Sequence, residues 1–437
     1  MYTSNLLCWF CVVFYWFSPL VLADGSIRTN NLILWDAILK AIKTNPDIVA
    51  SQQNLITRKQ QYRQTQATYL PSIRAGFSAN YNYSTNLKKE PYSGSISATQ
   101  KLLNLSQIQT IRKSKKSYES SNFSLESTKQ NIILTTTNTY IDLISQFKVV
   151  ELSQKNYQLT KKHVDATQQR YAAGELTKTD VNQAKSRLAN AKATLVRAIK
   201  VADVVRKRYK QIVGSIPPKI LKIPSVNSGD IENQFSKNKH TLFSHPTLLI
   251  AKSSLESAKI DQVEARSDFY PTIDLSASGN VTLESETLQF EDYRDSYLVG
   301  VSVTIPIFSG GGRFYKLKEK LSERKLEEAE YESTKRQIKF ALDSALLELN
   351  IARELEEVFI EGVQASKTAL EGVQEEFEAG ARIALDVLDA QNELFSADIS
   401  LVKARFDIIK AQFQLLSSSG TLTLSQLRVA MSDPKKR

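Results

Sequence analysis

Asp386 and Asp389 stand three positions apart at the start of an amphipathic stretch, so on a helix they share one face. Carboxylates so placed can do two things. In a first helical turn they favour the positive end of the helix dipole, typically by about 0.3–1 kcal/mol. Repeated around a symmetry axis, they form charged rings that attract cations and repel anions at a narrow opening. The other chemistry-bearing residues are badly placed for a reaction. His163, His240 and His245 are far apart and have no ligand spacing with carboxylates. No Ser/His/Asp arrangement is readable, and no glycine-rich phosphate loop follows a strand. Gly310-Gly311-Gly312 reads as a bend at a strand-to-helix corner. Cys8 and Cys11, the two cysteines, both lie in the uncharged first 23 residues. No enzyme, metal or cofactor is therefore expected.

The two aspartates belong to a long periodic element. Gly380 ends one helix, and behind it apolar residues recur every seven. Val387, Leu394, Leu401, Ile408 and Leu415 form one row, and Leu388, Phe395, Val402, Ile409 and Leu416 form the next. Ala390, Ala397, Ala404 and Ala411 add a row of small side chains. Such rows are a coiled-coil seam, and the alanines let a second backbone come close. The stretch has a twin at an offset of 206 positions: Tyr171-Ala172-Ala173-Gly174 lies on Phe377-Glu378-Ala379-Gly380, Asp180-Val181 on Asp386-Val387, and Gly214 on Gly420. The chain is an internal duplication. The twin carries Asp180 but Gln183, so only the second copy has the aspartate pair.

Each copy begins with a helix over 30–68 or 239–268, marked by Asn45-Pro46 or His245-Pro246. Tyr69-Leu70-Pro71 and Phe269-Tyr270-Pro271 stop both helices, because proline cannot continue the ladder. The period then changes to two. Ile73, Ala75, Phe77 and Ala79 alternate with polar residues in the first copy, and Ile273, Leu275 and Ala277 do so in the second. A second strand follows in each, through Ile96, Ala98 and Leu102, and through Tyr297 to Ile307. Polar loops at 86–94 and 285–295 join each pair. Roughly 9–11 tilted residues span a bilayer as a strand, and these are that long; a soluble half-buried hairpin fits the same pattern. Two helices then follow in each copy: a proline-free one over 106–171 or 312–377, and a return helix over 179–212 or 385–417.

Four strands are too few for a membrane barrel, which needs about eight. An open edge in lipid leaves backbone groups unpaired at several kcal/mol each. Strands in a membrane would therefore require two or three copies. Both hairpins enter and leave on one side, so the helices would project from one rim as a tube.

The mature chain resembles the TolC family of outer-membrane efflux and secretion channels. The resemblance rests on the duplication, Asn45-Pro46 and His245-Pro246, Tyr69-Leu70-Pro71 and Tyr270-Pro271, Pro306 to Gly311 (PIFSGG), FEAG at 377–380 and DVLDAQNEL at 386–394. It implies a mainly α chain with a membrane β-barrel: a homotrimer whose twelve strands, four per chain, are continued by a long α-helical coiled-coil tunnel. It implies partners too: outer-membrane lipid, a periplasmic adaptor and an inner-membrane transporter that supplies the energy. Asp386 and Asp389 would line the constricted periplasmic entrance. Arg382 would bond across to Thr179 and Asp180 of the first copy and hold the tunnel shut. Phe377 matches a position where the family can carry a tyrosine that also bonds across, and without a hydroxyl that link would be missing here.

The expected organisation is a signal peptide over 1–23, a first repeat over 24–214, a linker over 215–235, a second repeat over 236–420 and a disordered basic tail over 421–437. The signal is read from the apolar run Leu6 to Leu22 ending in Val21-Leu22-Ala23, although it lacks a positive start. The net charge of +11 is scattered and comes without a recognition motif, which argues against nucleic acid. A periplasmic adaptor or coiled-coil scaffold is the other reading, but it would not need two copies of long alternating strands.

Overall fold

The computed structural model describes residues 32–80, 82–84, 87–89, 91–218, 220–224, 241–284 and 293–431. The expected signal peptide and most of the expected linker lie outside the described residues.

Each repeat starts at a capped corner. Helix α1 spans Leu32–Thr44 and α2 spans Pro46–Ala67, with Asn45 between them accepting from the Asp47 N–H at 2.9 Å. Proline is tolerated in the first turn, where its missing N–H would be unpaired anyway. In the second repeat a 3-10 turn at Thr241–Ser244 precedes helix α5, Pro246–Ser267. His245 does the work of Asn45 there: its Nδ1 accepts from the Thr247 N–H at 3.2 Å.

Strands follow at the expected places. They are β1 (Ser72–Ala79), β2 (Asn82–Ser84), β3 (Leu87–Lys89), β4 (Pro91–Leu103), β5 (Thr272–Glu284) and β6 (Tyr293–Thr304). The stretch 86–94 expected as loop is largely strand: β2 and β3 form a small hairpin of their own, and β4 already begins at Pro91. Ile305 and Ile307 fall past the end of β6, because Pro306 has no N–H to give to the ladder. The long strands make one antiparallel sheet in the order β1-β4-β5-β6, so both repeats share it and β1 and β6 are open edges.

The register sorts this sheet into two faces. Ala75, Ile96, Gly279 and Tyr297 lie in one row across it, and Ile73, Ala98, Ala277 and Val299 lie in another row of the same face. Gly76, Ser95, Asn280 and Ser296 form a row of the opposite face. The Tyr297 ring covers Gly279, where a Cβ would meet it at 3.3 Å. Among the described residues nothing packs on the apolar face, and Tyr297 and Val299 are 78% and 75% exposed. No helix among the described residues is long and apolar enough to cross a membrane.

The helices run from this sheet. Helix α3 spans Leu105–Ala172 and α6 spans Gly312–Glu378, 68 and 67 residues, or roughly 100 Å each at 1.5 Å per residue. The return helices are α4, Lys178–Val213, and α7, Ala384–Ser418. Helix α3 packs along α4 and α7, and α7 packs along α6, which gives the order α4-α3-α7-α6. The seam rows behave unequally: Val387, Leu388, Ala404, Leu415 and Leu416 are buried, whereas Leu394 and Leu401 are half-buried.

The main core is a band at the far ends of the return helices. Leu34 and Ile38 of α1 meet Tyr140 and Leu143 of α3 and Phe413 and Leu415 of α7 there. Two left-handed glycines close this band. Gly214 (φ 75°) lies against Thr44, and Gly420 (φ 71°) lies against His245. The expected disordered tail instead begins with a helix, α8, Leu424–Met431. Its Leu427 is fully buried in the core band, and that burial is what orders it.

Candidate functional site

The expected site residues gather where the two long helices turn back. Both turns use the same backbone device. Gly174 (φ 83°) and Gly380 (φ 79°) adopt the left-handed conformation that glycine enters without strain. Behind them the Glu175 N–H bonds the Arg170 carbonyl at 2.9 Å, and the Ala381 N–H bonds the Glu376 carbonyl at 2.8 Å. These bonds satisfy carbonyls that the helix ends leave free.

The side chains around the turns differ. In the first repeat Thr177 caps α4. Its hydroxyl donates to Asp180 Oδ2 at 2.8 Å and accepts from the Asp180 N–H at 3.3 Å. The Thr177 N–H donates to the same carboxylate at 2.9 Å. These bonds, the backbone one foremost, hold Asp180 below the usual carboxylate range. In the second repeat Ile383 occupies the cap position and has no oxygen to offer. Only the return half of the box remains, Ile383 N–H to Asp386 Oδ2 at 3.4 Å.

Arg382 does not reach Asp180 within this chain. Its Nε lies 2.7 Å from Glu376 Oε2, and its Nη1 lies 3.9 Å from Asp386 Oδ2. Each member of the expected pair has a nearer partner in its own turn. Thr179 is exposed beside Asp180, and the cap contact belongs to Thr177 instead.

Other residues connect the repeats. Asp389 Oδ1 lies 2.7 Å from Nη2 of Arg187 on α4. Phe377 does have a link across: the Arg170 guanidinium stacks 4.5 Å above its ring centre. A phenyl face attracts a cation without needing a hydroxyl. Deeper in, Gln391 donates to Asn156 Oδ1 at 2.9 Å and to Thr160 Oγ1 at 3.3 Å. Val164, Ala184 and Leu388 form a small apolar cluster beside it. Arg187 escaped the sequence reading because its partner lies 202 residues away. The available signal was its position seven residues after Asp180, which puts it on the same helical stripe.

Both expected ring carboxylates thus sit beside arginines, Asp386 near Arg382 and Asp389 near Arg187. Nothing in this arrangement resembles a nucleophile with its base. It is a meeting of two helical hairpins through charge pairs, at the end of the molecule opposite the sheet.

The family model for outer membrane efflux proteins matches residues 37–206 and 239–421, one segment for each repeat. The chain belongs to the outer membrane efflux protein family. The chain is 28% identical over 432 residues to the outer membrane efflux protein BepC of Brucella suis, covering 95% of this chain and 92% of that one. It is 23% identical over 412 residues to the outer membrane protein TolC of Escherichia coli, covering 90% and 83%. The crystal structure of the outer membrane protein VceC from Vibrio cholerae superposes with a TM-score of 0.80 at 18% identity, covering 90% and 99%. An outer membrane efflux protein of this fold is a channel, with its sheet in the outer membrane and its helices in the periplasm.

Proposed function

We propose that three copies of this chain close one twelve-stranded barrel and one helical tunnel, which passively conduct cargo handed over by an inner-membrane transporter through a periplasmic adaptor. One observation carries the reading. Among the described residues the four-stranded sheet has two unpaired edges and an apolar face that nothing covers. In lipid each edge would leave its backbone groups unpaired. Sharing the wall among copies removes both edges, and the apolar face becomes the lipid-facing surface. The energy for transport lies with the transporter, which also chooses the cargo, whether a small molecule or a secreted polypeptide.

The turn ends form the periplasmic entrance in this reading. Asp386 and Asp389 give it a cation preference, which Arg382 and Arg187 offset. The contacts Arg187–Asp389 and Arg170–Phe377 hold the two hairpins of one copy together, so a dilation of the entrance breaks them first. Arg382 and Asp180 serve as the latch that holds the entrance shut only if Glu376 and Thr177, their present partners, release them.

Native mass spectrometry of detergent-extracted protein should give a trimer, and single channels in planar bilayers should conduct. A monomer that leaves the outer membrane with salt or alkali would instead favour the adaptor reading. Asp386→Asn with Asp389→Asn should lower the cation preference, and unchanged reversal potentials would count against the carboxylate rings. Arg382→Ala conductance equal to the parent's would remove Arg382 from the latch.

A further inference from the structure

The helix order α4-α3-α7-α6 leaves α4 and α6 at opposite edges of the chain, below the sheet edges β1 and β6. Their charges oppose each other. Helix α4 carries ten lysines and arginines against Asp180 and Asp203. The last half of α6, residues 341–378, carries ten acids against Arg353 and Lys367. Each helix thus carries a net of eight charges, positive on α4 and negative on this half of α6, although Arg187, Glu356 and Glu376 are already paired within the chain. Upstream the contrast vanishes, because α2 and the first half of α6 are both mildly basic.

The charges are arranged in stripes. Lys178, Lys185 and Lys192 recur every seven residues, and after a step of eight Lys200 and Lys207 are again seven apart. On α6, Glu354, Glu357 and Glu361, then Glu371, Glu375 and Glu378, recur at three and four. All five lysines and all six glutamates are exposed. Glu371 has a loose partner on its own helix, Lys367 at 4.0 Å. Exposed apolar side chains lie on the same helices, Val196 and Val204 on α4 and Leu347, Ile351 and Val358 on α6.

We infer that these edges are the two halves of one seam, with the basic edge of one copy seated on the acidic edge of the next. The helices run in opposite directions from a common end, so Lys178 faces Glu378, Lys185 faces Glu371 and Lys200 faces Glu357. A head-to-tail contact of this kind closes into a ring and gives it one direction of rotation. Like edges repel, which excludes a two-fold pairing of α4 with α4. The seam rests on the proposed assembly but goes beyond it, since pairing of β1 with β6 could build a trimer with no attraction between helices. Salt separates the two contributions, because the reach of exposed charges falls from about 10 Å at 0.1 M to about 3 Å at 1 M.

The test uses full-length protein in outer membranes, carrying Lys185→Cys with Glu371→Cys and treated with a short bis-maleimide. Covalent dimers and trimers are expected, because the two positions meet only between copies. A trimer by native mass spectrometry with no such cross-link overturns the seam and leaves the assembly standing. A monomer overturns both. Charge is tested at the neighbouring pair, with Lys178→Cys and Glu378→Cys as the cross-linking positions. Adding Lys185→Glu, Lys192→Glu and Lys200→Glu together should abolish that cross-link. Adding Glu357→Lys, Glu361→Lys and Glu371→Lys as well should restore it. Equal cross-linking with and without the reversals, in low salt, overturns the role of charge.

Discussion

The two repeats share a backbone plan and differ in the side chains that secure it. Both turn their long helices with a left-handed glycine, and both end their return helices with another. The first repeat caps its turn with a threonine and its corner with an asparagine. The second puts isoleucine and histidine at those positions. The second turn is therefore held less by its own backbone and more by charge pairs, Arg382 with Glu376 and Asp386, and Arg187 with Asp389. Caps hold one helix in place, whereas charge pairs between helices can be exchanged.

The largest expected difference between the repeats is at the closing glycines. A Cβ at Gly420 would meet the His245 Cα at 2.9 Å, while one at Gly214 would meet the Thr44 hydroxyl at 3.1 Å. A hydroxyl can rotate away and a backbone atom cannot. Both alanine variants bear about 1–2 kcal/mol for the left-handed conformation. Gly420→Ala should bear about 1–3 kcal/mol more for the clash. Thermal unfolding followed by circular dichroism would show it, and equal losses would erase the distinction.

Exchanging the caps comes next. Thr177→Val should destabilise by about 0.5–2 kcal/mol, and Ile383→Thr should stabilise by a similar or smaller amount. Ile383 is 54% exposed, so little apolar burial is lost in the exchange. Opposite signs in denaturant unfolding would sharpen the contrast between the turns, and equal signs would break it.

A smaller effect separates the corners by pH. Burial lowers the His245 pKa below its ordinary value of 6.5, and a backbone bond with Ser417 partly opposes that. The folded state thus favours neutral histidine. Its contribution is present above pH 6.5 and is lost as pH falls through the depressed folded value. His245→Asn copies the first repeat and should flatten the stability profile between about pH 7 and 5. A parent profile already flat there would contradict the reading.

The smallest effect on stability is expected from the charge pairs. Arg187 and Asp389 have side chains 42% and 50% exposed, so their double-mutant coupling should stay within about 1 kcal/mol. In the proposed entrance, Arg187→Gln should raise cation preference by freeing Asp389. Unaltered reversal potentials with a normal coupling energy would confine the pair to a structural role.

Much of the scaffold was readable in advance. The offset of 206 placed both turns and both closing glycines, and the change of period at Pro71 and Pro271 placed the strands. The tail was misread because Leu427 looks like a lone apolar residue until the core band is there to receive it. The loop at 86–94 was misread because a polar run does not show whether its backbone is paired. At the site, Asp386 was visible from its place in a first turn, whereas Thr177 was passed over for Thr179.

The residue order alone determined the helix lengths, the breaks and the strand faces, since each depends on neighbours within one or two turns, and it showed the repeat, since that is a match within the sequence itself. Tertiary structure decided which charges meet. Arg187 found Asp389 because a contact between helices depends on their axial stagger and rotation, whereas Arg382 found Glu376, six residues away in its own turn, rather than Asp180 across the repeats. A shift of one residue along a helix rotates a side chain by about 100°, so the local pattern could put Arg187 on its stripe but could not choose Asp389 as its partner.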